Sequence, residues 1–213
     1  MSRLFEEDVK IKSCGRTDAG VHAYMHISNF FLKNEILIPH DKLVTVINTY
    51  LPGDIVCTNV EIVSESFNSR RDAKFRQYMY VIYNDEVRPP FYKKRTWHIK
   101  ENVNTRKLKK ALLYIKGTHD FASFCASAKE YNHTVRTITK VKVIKEKKYI
   151  KIYITGFAFL HKMIRMIVGA AVDIVLKNKP SNEMKKILEN KSRNNNPYIT
   201  APPGGLYLYK IEY

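Results

Sequence analysis

The sequence predicts an α+β protein: a mostly antiparallel sheet with helices packed against it, built as two related halves. Three observations carry that expectation. Short runs that alternate apolar and polar residues recur along the chain, segments with helical spacing lie between them, and the second half repeats the element types of the first. The 213 residues, 45% apolar and 12% aromatic, are enough to bury a sizeable core and exclude a globally disordered chain.

Val9 to Cys14 alternates and reads as a strand that runs into the polar turn Gly15-Arg-Thr-Asp-Ala-Gly20. Val21 to Phe31 follows as a second strand, with Val21, Ala23, Met25 and Ile27 on one face. Asp41 is placed to cap a short helix carrying Leu43, Val44 and Ile47, which Pro52-Gly53-Asp54 ends. Ile55 to Val63 and Phe75 to Asn84 are rich in β-branched and aromatic residues and read as strands. Consecutive prolines in Arg88-Pro-Pro90 suit a linker, so the halves are expected at residues 1–88 and 89–213.

In the second half, Leu108, Ala111, Leu112 and Ile115 give Thr105 to Lys116 a helical stripe that Gly117 stops. Arg136 to Lys145 and Tyr149 to Thr155 alternate around the charged turn Lys145 to Lys148 and predict a hairpin. Phe159 to Leu176 reads as an apolar helix, Ser181 to Glu189 as a shorter one, and Leu206 to Tyr213 as a final strand.

Charge narrows the function. With 37 Lys and Arg against 20 Asp and Glu, the net charge of +17 favours a polyanionic partner, nucleic acid or an anionic membrane surface. The longest apolar run, Met166 to Leu176, is about half of what a bilayer requires and contains Asp173. The acidic N-terminal stretch MSRLFEEDVK lacks the apolar core of a signal peptide. Three cysteines without a C-x-x-C pair make no disulfide framework, so a reducing cytosol is the default. His22 and His26, four residues apart on a strand, stand roughly 13 Å apart, too far to share a metal.

Three segments can carry chemistry. The glycines around Arg16 and Asp18 allow a tight loop that presents a cation and a carboxylate; the plainer reading is an ordinary turn in which Asp18 caps an amide. In the stretch from Phe67 to Tyr80, Arg70, Arg71, Lys74 and Arg76 suit phosphates, while Tyr78 and Tyr80 share a strand face and suit base stacking. The plainer reading there is a core sheet face with solvated arginines. In Gly156 to Gly169, His161 and Arg165 are four apart on the expected helix. An arginine in so apolar a segment either snorkels to solvent or needs an acidic partner, for which Asp18 is the natural candidate.

In this order GRTDAGVHA, FNSRRDAKFRQYMYVIY and GFAFLHKMIRMIVG closely resemble the TruA family of tRNA pseudouridine synthases. Gly117-Thr-His-Asp-Phe-Ala-Ser-Phe124 and Ala201-Pro-Pro-Gly-Gly-Leu-Tyr-Leu208 resemble family segments too, so the likeness spans nearly the whole chain. The resemblance implies a pseudouridine synthase fold and isomerisation of uridine to pseudouridine at positions 38, 39 and 40 in the tRNA anticodon stem-loop. It gives Asp18 the role of catalytic aspartate and Tyr78 that of packing against the target base. Arg16 corresponds to an arginine linked to base extrusion, Arg165 to one that pairs with the aspartate, and Leu206 to the apolar wall of the pocket. It further implies a cytoplasmic, cofactor-free homodimer with tRNA held across both subunits. The alternative is a catalytically silent RNA-binding protein on the same scaffold; only the enzyme requires Asp18, whereas both require the lysines and arginines. Family members place a strand, a Tyr-Asp-Gly motif and a helix several tens of residues ahead of GRTDAG. Here 14 residues precede Gly15, and MSRLFEE resembles the end of that helix. The expectation is a shortened start and a chain of marginal stability with little activity.

Overall fold

The computed structural model describes residues 1–213, the side chain of Asn195 excepted. In chain order the elements are α1 (Ser2–Phe5), β1 (Lys12–Ser13), β2 (His22–Ala23), β3 (Ser28–Asn29), α2 (His40–Tyr50), β4 (Phe75–Asn84) and β5 (Trp97–Ile99). They continue with α3 (Thr105–Leu113), β6 (Gly117–Asp120), β7 (Val135–Glu146), β8 (Tyr149–Gly156), α4 (Met163–Leu176), α5 (Glu183–Glu189) and β9 (Leu206–Glu212). Contacts divide the chain into two compact units, one of Met1–Gly15 and Ile27–Asp72, the other of Arg16–His26 and Ala73–Tyr213.

In the smaller unit β1 and β3 pair antiparallel over two residues each. Buried Asn29 stitches a loop onto that pair: its amide donates to the Phe67 carbonyl (3.2 Å) and its carbonyl accepts from the Ser69 amide (3.0 Å). The Ser69 hydroxyl in turn donates to the Lys12 carbonyl (2.9 Å). Helix α2 buries Leu43 and Ile47, an i, i+4 pair. Pro39, not Asp41, holds its N-cap, and Asp41 lies within the first turn, where a carboxylate suits the helix dipole. The strand expected at Ile55 to Val63 does not form. Ile55, Val56, Ile62 and Val63 are all exposed and no strand pairs with them; β-propensity without a ladder does not make a strand.

The larger unit is a seven-stranded sheet in the order β2-β9-β4-β8-β7-β6, with β5 added beside β4. Neighbours are antiparallel except β2 with β9 and β4 with β5, so the sheet is mixed and not purely antiparallel. The expected strand from Val21 to Phe31 is reduced to β2 and β3, which lie in different units. Tyr80 and Ile82 of β4 and Ile150, Ile152 and Ile154 of β8 form one core with α3 and α4. The β7–β8 hairpin turns at Lys147 and Lys148, since Glu146 already pairs with Tyr149, and Lys147 takes a left-handed φ of 54°. Among the described residues no helix is long and apolar enough to cross a membrane.

Helix α4 begins at Met163, four residues later than its apolar pattern suggests. Lys162 is left-handed (φ 59°), which an α-helix does not accept, so His161 precedes the helix instead of sharing a helical face with Arg165. From Met163 to Val175 only Arg165 is not buried. Burial on all sides explains why hydropathy marked this helix so clearly.

Candidate active site

The Gly15–Gly20 loop leads into β2, whose only sheet neighbour is β9. Gly20 is left-handed (φ 79°) and its Cα faces the Pro203 ring, so a side chain there would be strained and crowded. The Val21 amide donates to the Asp18 carbonyl (3.0 Å), which closes the turn and leaves the carboxyl side chain free to project from it.

Arg165, in the first turn of α4, does not snorkel. Its Nη1 donates to Asp18 Oδ2 at 2.6 Å, and its Nε donates to the Ala201 carbonyl at 2.8 Å. The Ala201 amide donates back to the Arg165 carbonyl at 3.0 Å. Ala201 therefore anchors the arginine at its backbone carbonyl and at Nε, which leaves Nη1 directed at the carboxylate in a way that a flexible surface lysine could not match. The ion pair is largely withdrawn from solvent, with side-chain exposures of 12% for Arg165 and 23% for Asp18, so water screens it weakly. His161 Nε2 approaches the other carboxylate oxygen, Oδ1, at 3.5 Å.

Tyr78 is half-buried on β4, where the pairing with β9 shifts register: Gln77 opposes Lys210, Tyr78 opposes Leu208, and Tyr209 is left over as a bulge. Such bulges re-aim neighbouring side chains. The Tyr78 ring meets Phe159 edge-on, centroids 5.1 Å apart. Two residues on, Tyr80 is fully buried and donates its hydroxyl to the Pro202 carbonyl (2.7 Å). Burial pushes that phenol well above its ordinary pKa, against a smaller opposing effect of Arg165. Leu206 is buried opposite Tyr80. Arg16 is exposed and pairs with no acidic side chain among the described residues. Of the other basic candidates, Arg70, Arg71 and Lys74 are exposed, and Arg76 donates to the Phe157 carbonyl (2.8 Å).

The structure thus joins Asp18 and Arg165 directly and sets Tyr78 and Leu206 on adjacent strands. Sequence reasoning missed the Ala201 carbonyl as the second anchor of Arg165 and missed Tyr80 as the support for residues 202–205. A backbone acceptor leaves no signal in residue type. The Ala201-Pro-Pro-Gly-Gly run was a signal: a Cβ on Gly204 or Gly205 would stand 2.6 Å from the Lys94 carbonyl oxygen or 2.7 Å from the Tyr80 ring. Among the described residues no three His, Cys, Asp or Glu groups converge as a metal site.

The chain is similar in sequence to known proteins. A family described as tRNA pseudouridine synthase matches residues 111–213. A Brachyspira hyodysenteriae protein named tRNA pseudouridine synthase A is 38% identical over 209 residues, 98% of this chain and 83% of that protein. One of the same name from Thermoanaerobacter pseudethanolicus is 39% identical over 213 residues, all of this chain and 86% of that protein. A Bacillus anthracis protein, tRNA pseudouridine synthase A 2, is 36% identical over 213 residues, again all of this chain and 86% of that protein.

Proposed function

The chain belongs to the tRNA pseudouridine synthase A family, and on that premise we propose that it isomerises uridine to pseudouridine at positions 38, 39 and 40 of the tRNA anticodon stem-loop. The observation that carries this reading is the Asp18 carboxylate, presented from a glycine-bounded loop and held by a largely buried arginine. The reaction breaks the N1–C1′ bond, turns the uracil and joins C1′ to C5, while one proton leaves C5 and one is taken up at N1. Nothing is oxidised or reduced and no group is lost, so side chains suffice and no cofactor is needed.

In this reading Asp18 is the covalent nucleophile. Arg165 pairs with it, Tyr78 packs on the target base, Arg16 assists extrusion and Leu206 walls the pocket. Taking the base out of its stack costs a few kcal/mol, which stacking on Tyr78 and phosphate contacts of the +17 chain offset. Residues 1–88 carry the catalytic loop and residues 89–213 complete the cleft. The protein works as a homodimer in the cytoplasm, with tRNA held across both subunits.

The test is to incubate the protein with unmodified tRNA transcripts and map pseudouridine, with Asp18→Asn alongside. Modification at 38–40 by the wild type and none by the variant is expected. Binding without modification by the wild type would leave a silent RNA-binding protein, and turnover by the variant would remove Asp18 from its role.

A further inference from the structure

We propose that His161 is a positioning residue for Asp18, the second of two donors that fix the plane of its carboxylate. This rests on the reading of Asp18 as the nucleophile. The terminal torsion of an aspartate is broad and roughly two-fold, so a single donor on Oδ2 leaves the group able to pivot about that bond. Arg165 Nη1 is on Oδ2 at 2.6 Å and His161 Nε2 is at 3.5 Å from Oδ1. A hydrogen bond from His161, formed by a small shortening of this approach, puts a donor at each oxygen, removes the pivot and gives the lone pairs of the attacking oxygen one direction. At 3.5 Å the approach is longer than a formed hydrogen bond, and catalytic hydrogen bonds of this length commonly tighten in the transition-state complex.

The surroundings of His161 fit this task. Its Nδ1 lies 3.0 Å from the Ser127 hydroxyl, its amide donates to the Tyr131 hydroxyl (3.1 Å), and its carbonyl accepts from the Ala126 amide (3.2 Å). Residues 126–131 thus hold the ring and both backbone groups of a residue that lies outside any helix or strand. The tautomer follows from the acceptors. A carboxylate oxygen offers no proton, so for His161 to donate to Asp18 the neutral ring carries its hydrogen on Nε2, with Nδ1 accepting from Ser127. The arrangement Ser127–His161–Asp18 is a chain of donors directed onto Oδ1, on the side of the carboxylate away from Arg165.

The decisive comparison is among His161→Ala, His161→Asn and His161→Gln. The Gln amide nitrogen reaches about as far as Nε2, whereas that of Asn stops near Nδ1. Single-turnover rates and tRNA affinities are measured with Asp18→Asn as reference. Ala and Asn should slow conversion by roughly 10- to 100-fold, the cost of a misdirected reacting group, with tRNA affinity and melting temperature little changed. Gln should recover most of the rate. Wild-type speed in the Ala variant would overturn the proposal. So would a Gln variant as slow as Ala at equal melting temperature, because the ring would then carry protons instead of placing Asp18. Turnover by Asp18→Asn would instead defeat the underlying reading, and the two failures are told apart. Nitrogen NMR shifts of the wild-type ring give a check that no variant's folding can cloud: the neutral form should be protonated on Nε2, and protonation on Nδ1 would overturn the assignment.

Discussion

Gly169 of α4 lies against Ile199 so closely that a Cβ on the glycine would stand 2.0 Å from the Ile199 carbonyl oxygen and 3.0 Å from the Ala201 amide nitrogen. One turn earlier in the same helix, Arg165 exchanges two hydrogen bonds with Ala201. The missing side chain at 169 therefore sets how near the 199–201 segment can approach the arginine. Gly169→Ala meets backbone, which has no rotamer to give way. The expected cost is about 1–3 kcal/mol, a fall in melting temperature of ~2–4 °C per kcal/mol, read by calorimetry. Conversion should slow as well, since the Ala201 carbonyl that orients Arg165 is displaced. An unchanged melting temperature would mean that the segment moves aside without cost.

Arg165→Met should leave tRNA affinity within ~3-fold but slow conversion on the order of 100-fold, because the carboxylate loses the donor on Oδ2 and its direction with it. Methionine suits the apolar helix, so the loss should be catalytic more than structural. Arg165→Lys cannot serve Asp18 and Ala201 together and should fall between the two. Single-turnover assays across the three proteins check the order; a fully active Met variant would make the ion pair dispensable.

Tyr78→Phe keeps the ring that meets Phe159 and should bind tRNA normally. If the hydroxyl takes part in proton transfer, as we expect, conversion falls by roughly 100-fold. If the ring only stacks, Phe stays active and Ala fails. Wild-type rates in both Phe and Ala variants would exclude either role.

Tyr80→Phe addresses stability. The hydroxyl donates to the Pro202 carbonyl in a fully buried setting, so its loss should cost about 1 kcal/mol near neutral pH. The pH dependence has a definite sign. Burial raises the folded-state pKa above the ordinary 10.0, so the neutral phenol's contribution is complete below about pH 10 and declines above it, as the unfolded chain ionises first. One such group gives a slope of at most ~1.4 kcal/mol per pH unit. Thermal melts from about pH 8 to 11, either side of the ordinary phenol range, should show a shallower alkaline decline in the variant. The decline will not vanish, because Tyr149, Tyr153 and Tyr207 are shifted upward too, Tyr149 to about 12, burial being the largest cause in each.

What could be read from sequence follows physical lines. The pairing of Arg165 with Asp18 was legible because a cation in so apolar a segment has few stable fates. Strands β7 and β8 and helix α3 were legible because each carries its own periodicity, β4 because it is rich in β-branched and aromatic residues, and α4 because it is apolar all round. The three-residue β5 and four-residue β6 were not, because strands that short are defined by distant partners: Trp97 by Ile82, and Gly117 by Ile138. His161 was noticed for the wrong reason. The helical spacing that drew attention to it is broken by left-handed Lys162, and its approach to Asp18 comes from the loop ahead of α4. Ile55 to Val63 misled because β-branched residues mark a strand only where a ladder awaits them.

The pairing of β2 with β9, His22 beside Tyr207 and Ala23 beside Leu208, has a consequence in time. During synthesis at about 5–20 residues per second, the loop bearing Asp18 leaves the ribosome roughly ten seconds or more before the strand it must lie against. Arg165 also arrives late, 147 residues after Asp18. The base of the loop can close early, through the β1–β3 pair and the Cys14 amide on the Ile27 carbonyl, but the partners of β2 and of the Asp18 carboxylate are supplied only late in translation. Closing such distant contacts is a slow step in folding, so the ion pair that holds Asp18 is among the last features of the fold to form.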